Sequence, residues 1–110
     1  MLLAIDVGNT GMGMGIYDGE KLRSTWRMAT SISRTPDEYA ALLFSLLQQE
    51  GLKNLDITDV CMCSVVPPLT ATLEDLFARY FNIKPLVVGA GTKTGDGVGS
   101  GTEAIRKPVS

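Results

Sequence analysis

The sequence of 110 residues predicts one α/β domain: a five-stranded mixed sheet of strand order 3-2-1-4-5 with flanking helices on its faces. Three observations predict it. Two hairpin signals follow one another near the N-terminus. Two later apolar runs are each introduced by a segment of helical periodicity. A composition of 45% hydrophobic and 20% charged residues suffices for a buried core.

Leu2 to Val7 is apolar except for Asp6 and reads as a central strand buried on both faces. Gly8-Asn9-Thr10-Gly11 is turn chemistry. Met12, Met14 and Ile16 alternate with Gly13 and Gly15, a period of two that makes a second strand. Asp18-Gly19 is a hairpin signal. Lys21 to Met28 forms the third strand, with Leu22, Ser24, Trp26 and Met28 on one face and Arg23, Thr25 and Arg27 on the other. The period then changes. Thr35-Pro36-Asp37-Glu38 combines a capping residue, a proline at the first helical position and a glutamate at N3. Tyr39, Leu42, Leu43, Leu46 and Leu47 follow at helical spacing, and Gly51 stops the helix. Val60 to Val66 is an apolar run suited to a buried parallel strand, ended by Pro67-Pro68. Leu69, Leu73, Leu76, Phe77 and Tyr80 mark a second amphipathic helix, and Pro85 to Val88 a short fifth strand. Three antiparallel strands, then two strands fed by helical crossovers, give the order 3-2-1-4-5. Residues 89–110 hold six of the twelve glycines and little apolar periodicity, so a flexible tail is expected there.

Composition excludes several function classes. A net charge of −2 argues against a nucleic-acid binder that works by neutralising many phosphates. No apolar run approaches the roughly 18 residues of a membrane span. Met1 to Val7 lacks the basic lead and the length of a signal peptide, so a cytoplasmic location is expected. There is no histidine, which removes Ser-His and Cys-His catalysis and any histidine-ligated metal. Cys61 and Cys63 fall on one face of a strand and read as small buried residues. Arg23, Arg27 and Arg34 read as solvated surface.

The sharpest local feature is Asp6-Val7-Gly8-Asn9-Thr10-Gly11. A carboxylate in a strand built for burial is costly unless something compensates it. A cation is one compensation: Asp6 at the strand end can hold Mg²⁺, directly or through water, beside a nucleotide's phosphates. Gly8 lets the backbone approach a phosphate, and the turn's N–H groups, the Asn9 amide and the Thr10 hydroxyl can donate to its oxygens. The other reading is a hairpin turn whose aspartate bonds its own backbone. Spacing alone leaves both open. Gly11-Met12-Gly13-Met14-Gly15 is not a dinucleotide fingerprint, because a strand and not a helix carries it. Gly89 to Gly95 has the composition of a phosphate loop without its G-K-[ST] order.

Five separated motifs resemble the type III pantothenate kinases, in that family's order and spacing over about residues 1–95. They are Asp6-Val7-Gly8-Asn9-Thr10, Tyr17-Asp18-Gly19, Arg34-Thr35 with Asp37-Glu38-Tyr39, Ser64-Val65-Val66-Pro67-Pro68-Leu69, and Pro85 to Gly89 with Lys93-Thr94-Gly95. The resemblance implies a ribonuclease H-like, actin-like ATPase domain at 1–95, followed by a glycine-rich tail at 96–110. It implies ATP-dependent phosphorylation of pantothenate to 4'-phosphopantothenate, the first step towards coenzyme A. It further implies Mg²⁺ and a monovalent cation (K⁺ or NH₄⁺), and a homodimer in the cytoplasm. The family's first phosphate motif maps onto Asp6, Gly8, Asn9, Thr10, Gly11, Met12 and Gly13, with Asp6 carrying the metal. Two departures stand out. Position 11 is usually asparagine in the family and is glycine here. The family's Gly-Ala-Asp-Arg, with its catalytic base, is not in these residues, so no catalytic residue is assigned and the chain alone is expected to be inactive. The alternative function is a non-catalytic dimerisation or scaffold module built on the kinase domain.

Overall fold

Strands form where the sequence alternates or runs apolar between turn signals. In the computed structural model, which describes residues 1–89, β1 (Leu2–Val7), β2 (Gly11–Asp18) and β3 (Lys21–Ala29) make an antiparallel meander. Next come α1 (Pro36–Gln49), β4 (Asp59–Ser64), α2 (Pro67–Tyr80) and β5 (Leu86–Gly89). The sheet order is β3-β2-β1-β4-β5, with β4 parallel to β1 and β5 parallel to β4. Of the flexible tail expected from residue 89 onward, Gly89 instead ends β5, and the rest, including the glycine-rich 96–110, lies outside the described residues.

Both crossovers step in the same direction along the sheet, so right-handed connections bring α1 and α2 to the same face. The expectation of helices on the sheet's faces thus resolves to one face, where the two helices touch each other. Leu3, Ile5, Val7, Met12, Met14, Ile16, Val60 and Met62 point into that layer and meet Tyr39, Leu43, Leu47, Leu69, Leu73, Leu76 and Phe77. The opposite face carries Ala4, Asp6, Gly13, Gly15, Cys61 and Cys63. Ala4 is fully buried there too, while Leu2 and Asp6 on the same face are partly exposed, so β1 is fully covered on the helix side and only in part on the other.

The helix ends obey local chemistry. Glu38 N–H donates to Thr35 Oγ1 at 3.2 Å, and Thr35 N–H donates to Glu38 Oε1 at 2.9 Å, which closes the capping box over α1. At its far end Gly51 sits at φ 72°, and Leu52 N–H returns to Leu47 O at 2.9 Å. Only glycine takes that left-handed turn without strain. Gly19 does the same for the β2–β3 turn at φ 65°.

Three details depart from the sequence reading. β4 ends at Ser64 and not at Val66, because proline restricts the residue before it and Pro67 already opens α2. A short 3₁₀ turn at Asn54–Asp56 leads into β4. A bulge sets Leu22 and Ser24 opposite Tyr17 and Ile16, which leaves Arg23 unpaired in the ladder. Arg23 then reaches α1, donating to Glu50 O at 3.0 Å and pairing with its carboxylate at 3.9 Å. It is not simply solvated, and neither is Arg34, whose guanidinium lies 5.5 Å from the Tyr39 ring centre.

Three groups that titrate in the alkaline range hold their protons to higher pH than usual. Burial, then the neighbouring Cys63, pushes the Cys61 thiol above 9.0. Burial raises Tyr17 above 10.0. The Tyr80 hydroxyl is raised chiefly by its hydrogen bond to Asp37. Each folded-state value exceeds the unfolded one, so the folded chain binds more protons at alkaline pH. The stability these groups contribute is complete below their unfolded values and is lost as pH rises through the folded ones. The urea midpoint is therefore expected to fall from about pH 8 to about pH 11. Tyr80→Phe should flatten that fall, and an unchanged slope in this variant would count against the Tyr80–Asp37 bond.

Candidate functional site

The β1–β2 turn is held from three sides. Gly8 N–H donates to Gly11 O at 2.9 Å across the hairpin. The Thr30 hydroxyl, just past β3, donates to Gly8 O at 2.7 Å, and Thr30 N–H donates to Thr10 O at 3.3 Å. The Gly8 and Thr10 carbonyls are thereby occupied. Asn9 and Thr10 are exposed, and neither side chain makes a hydrogen bond among the described residues. The donors offered to solvent are therefore the amide of Asn9 and the hydroxyl of Thr10. Gly8 suits a crowded spot: a Cβ there would lie 3.1 Å from Gly11 O, tight enough that the hairpin would have to give slightly. Its φ is not positive, since among the described residues only Gly19, Gly51 and Asn82 have positive φ.

Asp6 is half-buried on the face away from the helices, opposite Gly13 on β2 and Cys63 on β4. Its carboxylate is not unpartnered in the fold. Among the described residues no three of His, Cys, Asp or Glu gather into a metal cage. A single carboxylate at a strand end is nonetheless the donor set Mg²⁺ uses when phosphates and water complete its shell. Of the predicted site residues, Asp6, Gly8, Asn9, Thr10 and Gly11 come together. Gly13 lies directly across from Asp6, and the Met12 side chain is fully buried on the helix side, so that residue could contribute only backbone.

Two helix starts compete in principle as anion sites, and both are poorly suited to it. Pro67 and Pro68 have no N–H, and the next two amides of α2, Leu69 and Thr70, both donate to Val66 O at 3.0 Å. In α1 Pro36 has no N–H, the Glu38 and Tyr39 amides donate to Thr35, and Asp37 sets a negative charge at that end. Anion-donating capacity at this end of the sheet thus falls to the β1–β2 turn. Sequence reasoning missed Thr30, because nothing in the sequence says that a residue after the third strand bonds the first turn. It read Arg27 as solvated surface; the register sets Arg27 beside Gly13 on the Asp6 face.

Among known proteins, a family model described as type III pantothenate kinase matches residues 2–103. A type III pantothenate kinase of Dehalococcoides mccartyi (strain 195) is 51% identical over 94 residues, 86% of this chain and 36% of the relative. One from Anaeromyxobacter sp. (strain Fw109-5) is 55% identical over 95 residues, 86% of this chain and 37% of the relative. The chain spans little more than a third of the length of these curated relatives. Among solved structures, a Porphyromonas gingivalis protein assigned as an N-acetylglucosamine kinase superposes with a TM-score of 0.57 at 19% identity. That match covers 81% of this chain and 34% of the other, and at such identity it speaks to the fold alone, which is ribonuclease H-like and actin-like.

Proposed function

Because the chain belongs to the type III pantothenate kinase family, we propose that its β1–β2 turn is the phosphate-holding element of an ATP-dependent kinase acting on pantothenate. The observation that carries this reading is the turn itself, with its carbonyls tied back by Thr30, its donors outward and one carboxylate alongside. Asn9 and Thr10 bind the phosphate oxygens, and Gly8 keeps the backbone close to them. Asp6 holds Mg²⁺ together with those phosphates. When bound, that ion neutralises charge on the phosphate oxygens. No described residue is assigned to the monovalent cation.

Residues 1–95 serve in this reading as the first, phosphate-binding domain, and residues 96–110 as a segment beyond it. In this reading the protein works in the cytoplasm as a homodimer, as the resemblance implies. Among the described residues no helix is long and apolar enough to cross a membrane. Phosphoryl transfer needs positioning and charge stabilisation from several segments, so this chain by itself is expected to bind Mg·ATP without phosphorylating pantothenate. Amide NMR of the chain titrated with Mg·ATP tests the reading. Shifts confined to Gly8–Gly13 and Thr30, and lost when EDTA removes the metal, are expected. Concentration-dependent self-association with no response at the turn would favour the scaffold alternative and sink the nucleotide reading.

A further inference from the structure

Three arginines lie on or just after β3, and two have partners: Arg23 binds Glu50, and Arg34 lies over Tyr39. Arg27 is exposed and makes no ion pair or hydrogen bond among the described residues. Its guanidinium lies close to the turn. A Cβ built on Gly11 would lie 3.4 Å from Arg27 Nη2, so the guanidinium leans along the sheet onto the residue that closes the turn. Arg27 pairs with Gly13, and Gly13 pairs with Asp6. The three stand in one row on the face away from the helices, with a residue lacking a side chain in the middle. At a strand spacing of about 4.8 Å, the Arg27 and Asp6 backbones are about 10 Å apart. That leaves a gap between a cation and an acid whose floor is glycine and whose end wall is the turn.

We propose that Arg27 is a phosphate contact of this site: its guanidinium, free to lie over Gly11, binds oxygens of the same phosphate group that the Asn9–Thr10 turn holds. The inference rests on the phosphate-binding reading of that turn. A planar guanidinium suits two phosphate oxygens at once, and an ammonium does not reproduce that geometry. A Cβ at position 11 would stand at contact distance from the guanidinium, so glycine there leaves the group room to shift. The sequence shows a glycine where the family usually has an asparagine side chain; the structure has an arginine from the edge strand occupying that side of the turn.

The test uses the chain with two probes, Mg·ATP and magnesium tripolyphosphate, followed by calorimetry and amide NMR. Arg27→Met should weaken both by about tenfold, a typical effect of losing one charge-assisted contact. Arg27→Lys should fall between the two. The equal loss for both probes distinguishes a phosphate contact from one to base or ribose. Because Arg27 is exposed, its variants should keep the wild-type amide spectrum away from the site. If Arg27→Met binds both probes as the wild type does, while the turn still responds, the Arg27 contact is overturned and the nucleotide reading stands. If the wild-type turn responds to neither probe, both fall together.

Discussion

Replacing Phe77 with alanine is expected to cost about 3–5 kcal/mol of folding stability, the usual range for emptying a large aromatic site in a core. Phe77 is fully buried on α2. Its ring lies 5.2 Å from Phe81, Phe81 stacks on Phe44 of α1 at 5.5 Å, and Phe44 meets Tyr80 edge-on at 5.9 Å. This chain of rings fastens the two helices together, and the Phe77 carbonyl also accepts the N–H groups of Phe81 and Ile83 as α2 ends. A domain of this size has about 5–15 kcal/mol in total, so the variant should melt on the order of 15–30 °C lower. Phe77→Leu, which keeps most of the volume, should cost less than about 1.5 kcal/mol. Urea titration followed by the fluorescence of Trp26, the sole tryptophan, measures both. A loss under about 1 kcal/mol for the alanine variant would mean that the helix seam is looser than the ring geometry indicates.

Asp6→Asn should reverse how metal affects nucleotide binding. In the wild type, Mg²⁺ is expected to tighten ATP by about tenfold or more, because the ion bridges two like-charged partners. Without metal the Asp6 carboxylate repels the triphosphate. The asparagine variant keeps the shape and loses the charge. It should bind Mg·ATP about tenfold more weakly than the wild type, yet bind metal-free ATP at least as well. That crossing separates a metal role from simple damage to the turn, which would weaken both forms. Parallel losses with and without metal would remove Asp6 from the metal site.

The sheet was legible because its signals are local and agree with each other. Met12, Met14 and Ile16 alternate, Asp18-Gly19 turns, and Thr35-Pro36-Asp37-Glu38 starts a helix. Right-handed crossovers then leave one arrangement of strands. The features that could not be read depend on pairing between segments distant in sequence. The bulge at Arg23 is visible only once β3 is set against β2. The Val65–Val66 pair looks like strand and is drawn off by the prolines after it. At the site, Asp6 and the turn announced themselves as a charge and a glycine in the wrong company. Thr30 and Arg27 are ordinary residues in an ordinary strand end, and their meaning comes from the neighbours that the register gives them.

The two hydrogen bonds from Thr30 have a thermodynamic consequence. They fix the turn during folding, before any ligand arrives, so little conformational freedom remains to be lost on association. Binding at such a rigid cradle is expected to proceed without a slow rearrangement step, with an on-rate governed by encounter and charge. A hydroxyl just beyond β3 is thus expected to bear on the kinetics of recognition without touching the molecule that is recognised.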